Sequence, residues 1–114
     1  MTETCLFCGI AEGRVPAQIV HSDDRVLAFR DIAPVAPTHL LVIPRAHHGD
    51  VLQLVAADPA LAEHVLAVAA AVAEAAGVAG GCRLVFNTGA DGGQSVFHAH
   101  CHVLGGRTLE WPPG

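Results

Sequence analysis

An α+β fold, one antiparallel sheet of about five strands with a single long helix on one face, is what this 114-residue chain predicts. Three observations predict it. Short apolar runs are punctuated by prolines and turn residues; an alanine-rich segment between Asp58 and Gly77 carries helix signals at both ends; and the order is strands, then helix, then strands.

Taken in order, Gln18-Ile-Val-His21 and Val26-Leu-Ala-Phe29 flank the polar turn Ser22-Asp-Asp-Arg25 and read as a β-hairpin. Asp31 to Thr38 carries two prolines and reads as loop, after which His39-Leu-Leu-Val-Ile-Pro44 is a short apolar strand stopped by proline. In the helix, Asp58 is the N-cap, Pro59 suits the first position and Gly77 the residue past the end. Leu61, Val65, Val68 and Val72 form its buried stripe. A second row of Ala62, Ala69, Ala73 and Ala76 reads equally well as close packing or as plain alanine bias. Cys82 to Asn87 and Val96 to Leu104 then make a strand pair around a glycine-rich loop. The prolines of Glu110-Trp-Pro-Pro-Gly114 exclude a central strand or a helix there, so the tail is expected on the surface or on a partner.

The length suits one domain, residues 1–114, with a real core. Only 15% of residues are charged against 52% hydrophobic, which leaves little charged surface and predicts a subunit interface, most simply a homodimer. The net charge is −5, all six basic residues are Arg, and no basic run exists, which argues against a nucleic-acid partner. A small anionic ligand is still compatible, since amides, hydroxyls and imidazoles hold phosphate locally. Met-Thr-Glu-Thr-Cys lacks the basic and apolar regions of an export signal, and Val65 to Ala73, the longest charge-free apolar stretch, is too short to span a bilayer. A soluble cytoplasmic protein with no membrane partner is expected. Its four cysteines are then reduced thiols or metal ligands.

The chemistry concentrates in His98-Ala-His100-Cys-His102. As a straight strand this stretch would put three imidazoles on one side, spaced about 6.6 Å apart with the outer two about 13 Å apart. One ion with metal–nitrogen bonds of about 2 Å cannot take all three, so the row reads as a division of labour. One ring serves as nucleophile or base while its neighbours orient it or bind other groups. His100, at the centre, is best placed to attack phosphorus and leave again, and a second His can protonate a departing amine. In the preceding loop, Gly89, Gly92 and Gly93 permit the positive φ and close approach that a loop needs if its amides are to converge on phosphate oxygens, and Ser95 adds a hydroxyl donor; read alone, Asp-Gly-Gly is also an ordinary hairpin turn.

His98-Ala-His-Cys-His-Val-Leu104 resembles the His-x-His-x-His-x-x motif of the histidine triad (HIT) superfamily. Asp31-Ile, Ala36-Pro-Thr-His-Leu-Leu-Val-Ile-Pro44, Asn87-Thr-Gly-Ala-Asp-Gly-Gly-Gln-Ser-Val96, His102-Val-Leu-Gly-Gly-Arg107 and Trp111-Pro-Pro-Gly114 are similar to its Hint branch, the purine nucleoside phosphoramidases. The resemblance implies a HIT-like fold with an added short N-terminal helix, a sheet continued across a homodimer, and purine-nucleotide pockets. It implies His100 as the nucleophile, assisted by His102 and His39, with Asn87, Gly93 and Ser95 on the phosphate and Ser95 also orienting the reacting groups. Asp31 would take the ribose hydroxyls, and Phe7, Ile10, Phe29 and Ile32 would wall the base, although each apolar residue reads equally well as core. No cofactor is needed for this chemistry. The alternatives are a dinucleoside polyphosphate hydrolase of the same superfamily and a non-catalytic nucleotide-binding protein.

Cys5-Leu-Phe-Cys8 departs from many Hint-branch members and, read alone, is a metal half-site, a redox dithiol or two ordinary thiols. By resemblance to bacterial histidine triad proteins with such a pair, the implied structural zinc would be held by Cys5, Cys8, His47 and His98, with His48 a substitute for His47. A closed set of this kind would brace the fold and leave the chemistry to His100. Cys82 and Cys101 have no paired spacing.

Overall fold

The computed structural model describes residues 4–114. Helix α1 spans Leu6–Ala11, strands β1 to β3 span Ile19–Ser22, Val26–Arg30 and Thr38–Pro44, helices α2 and α3 span Val51–Ala57 and Pro59–Ala75, and strands β4 and β5 span Cys82–Phe86 and Cys101–Gly105. The strands form one sheet in the order β1-β2-β3-β5-β4, with every neighbouring pair antiparallel.

Strand alternation divides the core between the two faces of this sheet. Val26, Ala28, Leu40, Val42, Cys101 and Val103 are buried together with the apolar stripe of α3, Leu61, Val65, Val68 and Val72. Ala62, Ala69 and Ala73 are buried in the same cluster while Ala76 is exposed, so the small row is a packing surface for most of its length. On the opposite face Leu27, Phe29, Leu41 and Ile43 pack with Phe7 and Ile10 of α1. The first face therefore holds a 17-residue helix, and the second only a 6-residue one. That difference leaves room for a site on the second face.

The long helix begins and ends as its sequence predicts: the Asp58 carboxylate accepts from the Leu61 amide, and Gly77 sits at φ 77° just past the C-cap. Two elements differ from expectation. Helix α2 was not foreseen, although Asp50 caps it by accepting from the Gln53 amide, and the Gln53 side chain reaches back to the Gly49 amide at 3.2 Å.

Strand β5, expected from Val96, begins only at Cys101. The reason lies in its partner: Val42 pairs with Cys101, so continuing the ladder would set Ala99 opposite Pro44, which has no N–H. The Ala99 amide turns instead to the His48 carbonyl at 2.7 Å. The three histidines therefore do not form a straight row, since only His102 lies in the strand.

The glycine-rich loop folds as a single 3-10 turn at Ala90–Gly92, with positive φ at Gly89 and Gly93 but not at Gly92. The tail leaves Trp111 82% exposed and is tied to the sheet by a hydrogen bond from Arg83 to the Glu110 carbonyl. Among the described residues all four cysteines are free thiols, and no helix is long and apolar enough to cross a membrane.

Candidate active site and cysteine–histidine cluster

His98 and His100 end up in different surroundings because of the bend before β5. The His98 ring is fully buried, and its Nε2–H donates to the Pro44 carbonyl at 2.8 Å. A carbonyl only accepts, so the proton is on Nε2 and the lone pair is on Nδ1. That lone pair faces Cys5 Sγ at 3.4 Å and Cys8 Sγ at 3.5 Å, and His47 Nδ1 lies 3.3 Å from Cys8 Sγ. One atom from each of Cys5, Cys8, His47 and His98 lies within 4.8 Å of the others. His48, the implied substitute, instead contributes its carbonyl to Ala99.

This donor set fits a soft cation. Bonds of about 2.3 Å to sulfur and about 2.05 Å to nitrogen at tetrahedral angles separate S and N by about 3.5 Å, close to the separations found here. Cys5 also caps α1 by accepting from the Cys8 amide at 3.3 Å, so the first helical turn sets the spacing of the two sulfurs. Burial and the neighbouring Cys5 push the Cys8 thiol up to about 11, and burial pulls His98 down to about 4, helped by the surrounding imidazoles. Holding both sulfurs as thiolates here would take a compensating positive charge.

His100 makes the opposite use of its ring. Its Nδ1–H donates to the His98 carbonyl at 2.7 Å, which leaves the lone pair on Nε2. Phe7 packs edge-on against it with centroids 5.0 Å apart, and the His102 ring is 4.9 Å away. Burial lowers the His100 pKa, opposed by the bond to the His98 carbonyl and by the Asp31 charge. A proton-free ring nitrogen beside a second imidazole is the requirement for a nitrogen nucleophile.

A second trio, Asp31, His39 and His102, also brings potential ligand atoms within 4.8 Å. Its hydrogen bonds argue against a metal. The Val35 amide donates to His39 Nδ1 at 3.1 Å, so the His39 proton sits on Nε2, 2.9 Å from His102 Nδ1 and 3.3 Å from the Asp31 carboxylate. His39 is therefore a donor, His102 Nδ1 is an acceptor, and the His102 proton is left on its far nitrogen, Nε2. Burial, followed by the His100 and His39 charges, lowers His102 to about 4.

Asp31 lines a cavity of about 640 Å³ together with Leu6, Ile10, Phe29 and Ile32. Phe7 does not line it but sits behind, between Phe29 and His100. Ile32 is fully exposed at the rim. Ser95 lines a separate cavity of about 400 Å³ with Cys5, Leu6 and His47, so Leu6 borders both spaces.

The glycine loop corrects one expectation. Its amides at Gly92, Gly93 and Gln94 bond to carbonyls within the loop, and that of Gly89 bonds to the Gln94 side chain, so these four do not converge on an anion. Gly93 is called for by its φ of 90°, since a Cβ there would meet the Asn87 carboxamide only at an ordinary contact distance of 3.9 Å. Gln94, not singled out from sequence, is 4% exposed and pins the loop by donating to the Gly49 and Val96 carbonyls. Its position inside the glycine-rich motif was the available signal.

A model of the HIT domain family matches residues 12–109. This chain belongs to the HIT family. An uncharacterized HIT-like protein of Synechococcus elongatus is 48% identical over all 114 residues of both chains. The crystal structure of a HIT family hydrolase from Legionella pneumophila superposes with TM-score 0.93 at 49% identity, covering 97% of this chain and 100% of that one. A hypothetical histidine triad nucleotide-binding protein from Sulfolobus tokodaii gives TM-score 0.75 at 34% identity, covering 89% of this chain and 68% of that one. The HIT fold found here is thus an open antiparallel sheet of five strands flanked by helices.

Proposed function

We propose that this HIT protein is a Hint-branch nucleoside phosphoramidase, cleaving the P–N bond of purine nucleoside 5′-phosphoramidates. The observation that carries the reading is the His100 Nδ1–H bond to the His98 carbonyl, which aims a bare Nε2 away from the backbone. Nε2 attacks phosphorus, the P–N bond to the amine breaks, and the amine leaves with a proton from a neighbouring imidazole donor. Water then attacks the nucleotidyl-histidine and returns a proton to the imidazole that gave one to the amine, the P–N bond to His100 breaks, and the nucleoside monophosphate departs.

The nucleoside fits the 640 Å³ cavity, where Asp31 offers a carboxylate to the ribose diol and Ile10, Phe29 and Ile32 offer apolar contact to the base. Asn87 and Ser95 serve the phosphate. Cys5, Cys8, His47 and His98 hold a structural zinc, whose closed donor set would brace α1 against the bend and fix the carbonyl that orients His100. No ion is needed for the chemical step.

A homodimer completes the reading. Strand β4 ends the sheet with Leu84 41% exposed, and the tail carrying the exposed Trp111 is tied to Arg83 of the same strand. A second copy at that edge would cover both and extend the sheet. A cytoplasmic location suits the four free thiols.

Rapid quench of the protein with an adenosine phosphoramidate tests the reaction. A monophosphate adduct on the peptide containing His100 is expected, with loss of adduct and at least about a thousandfold loss of turnover in His100→Ala. Wild-type protein with neither adduct nor turnover overturns the activity, and full activity in the variant overturns the nucleophile.

A further inference from the structure

The relay that ends at His102 begins outside the site, on the turn that follows β5. Val35, in the loop between β2 and β3, is held at both ends of its backbone: its amide donates to His39 Nδ1 at 3.1 Å, and its carbonyl accepts from Arg107 Nη2 at 3.1 Å. The Arg107 side chain also donates to the Thr108 carbonyl at 3.0 Å. Gly106, at φ 91°, packs this turn against the same loop so tightly that a Cβ would lie 2.9 Å from Pro37 Cβ. The turn and the loop are thus fitted to each other by two independent contacts.

We infer that Arg107 is a positioning residue for the reaction, acting through Val35 and His39 to keep the His102 proton on Nε2. This rests on the phosphoramidase reading, in which that N–H is the hydrogen-bond donor to the nitrogen of the departing amine. The logic is one of alternating donors and acceptors. A backbone amide can only donate, so His39 Nδ1 stays bare and its Nε2–H points at His102 Nδ1, 2.9 Å away. With Nδ1 of His102 occupied by that incoming donor, its own proton must lie on Nε2. If the Pro34–Val35 peptide, which carries that amide, rotated, His39 Nδ1 would be free to take the proton. His39 Nε2 would then become an acceptor, and His102 would be drawn to the reverse tautomer with Nδ1–H facing His39. In that state the far nitrogen of His102 has no proton to give.

Arg107 is exposed and does not line the cavity beside Asp31, so its effect must travel along the Val35 backbone, from the Val35–Ala36 peptide whose carbonyl it holds, across Cα, to the Pro34–Val35 peptide whose amide meets His39. Three substitutions at two positions address the two ends. Arg107→Ala removes the carbonyl's partner, and Arg107→Lys restores one donor. Val35→Pro removes the amide proton itself at a 62% exposed loop position.

Long-range ¹H–¹⁵N spectra of the histidine side chains, recorded with steady-state kinetics on an adenosine phosphoramidate, test the inference. The wild type is expected to show the Nε2–H form at His39 and His102. In Arg107→Ala a population of the Nδ1–H form should appear, kcat should fall about two- to tenfold with KM little changed, and Arg107→Lys should recover most of both. Val35→Pro should give the same tautomer change with a larger fall in kcat. Wild-type His39 carrying its proton on Nδ1, or unchanged spectra and kcat in both Arg107→Ala and Val35→Pro, overturns the inference. Expected tautomers in a wild type that cleaves no phosphoramidate overturn the catalytic role of Arg107 through the underlying reading, and the spectra tell that failure apart from a failed relay.

Discussion

Two histidines four residues apart, His98 and His102, sit in clusters of similar composition and opposite chemistry. His98 donates its Nε2–H to the Pro44 carbonyl and turns a lone pair toward two sulfurs, while His102 accepts a hydrogen bond from His39, which is itself fixed by the Val35 amide. In both clusters the ligand atoms come within 4.8 Å of one another, so proximity alone does not separate a metal site from a hydrogen-bond relay. The backbone group behind each ring does. A carbonyl behind the imidazole frees a lone pair for a cation, whereas an amide behind it frees a proton for another base.

The largest expected effect comes from breaking the first cluster. Cys5→Ser combined with Cys8→Ser should abolish binding of about one equivalent of zinc and lower stability by more than about 3 kcal/mol, on the order of 12 °C in Tm. Metal analysis and thermal melts on protein purified without added zinc measure both. Unchanged melting with no metal in the wild type would reduce the cluster to four packed side chains.

A smaller effect is expected from the second cluster, and it should appear in a different measurement. His39→Ala should lower kcat about a hundredfold by removing the donor that fixes His102, while zinc content matches the wild type. If zinc were lost together with activity, the two clusters would be one coupled unit and the contrast between them would fail.

Much of this was legible in the residues, for local reasons. The cap at Asp58, the stop at Gly77 and the apolar stripe of α3 depend on neighbours within one element, and they stand where the pattern predicts. The positions of Cys5, Cys8, His47 and His98 in one cluster followed from resemblance, and the structure brings those four side chains together. What was hidden depends on partners distant in the chain. The histidines read as a straight row because alternation alone cannot reveal that Ala99 would face a proline. The loop amides read as an anion nest because nothing local shows that Gly89, Gly92, Gly93 and Gln94 satisfy one another. The tautomers of His39 and His98 depend on Val35 and Pro44, which carry no chemical signature of their own. Helix α2 was missed for a different reason: it is 7 residues long with one buried side chain, Leu54, too little for a helical period to emerge.

A third pair of histidines sharpens the comparison with the smallest expected effect. His21 on β1 and His64 on α3 both point Nε2 at one oxygen of Asp23, at 2.7 and 2.8 Å, while its other oxygen accepts from the Arg25 and Val26 amides. Here the imidazoles serve a carboxylate, clasping the hairpin turn to the long helix. The His21 hydrogen bond, with those of Arg25, His64 and Val26, holds the Asp23 carboxyl well below its ordinary value of 3.8, against an opposing effect of burial. Because the folded value is the depressed one, the stabilisation is fully present above about pH 4 and is lost as the pH falls through the folded value. Asp23→Asn should therefore cost about 1 kcal/mol at pH 7, a modest figure because the side chains are about 30% exposed to screening solvent. The gap from the wild type should close progressively in denaturant titrations repeated below pH 4, while zinc content and kcat at pH 7 match the wild type. A gap that stayed constant with pH would mean that the clasp acts through packing and not through the Asp23 charge.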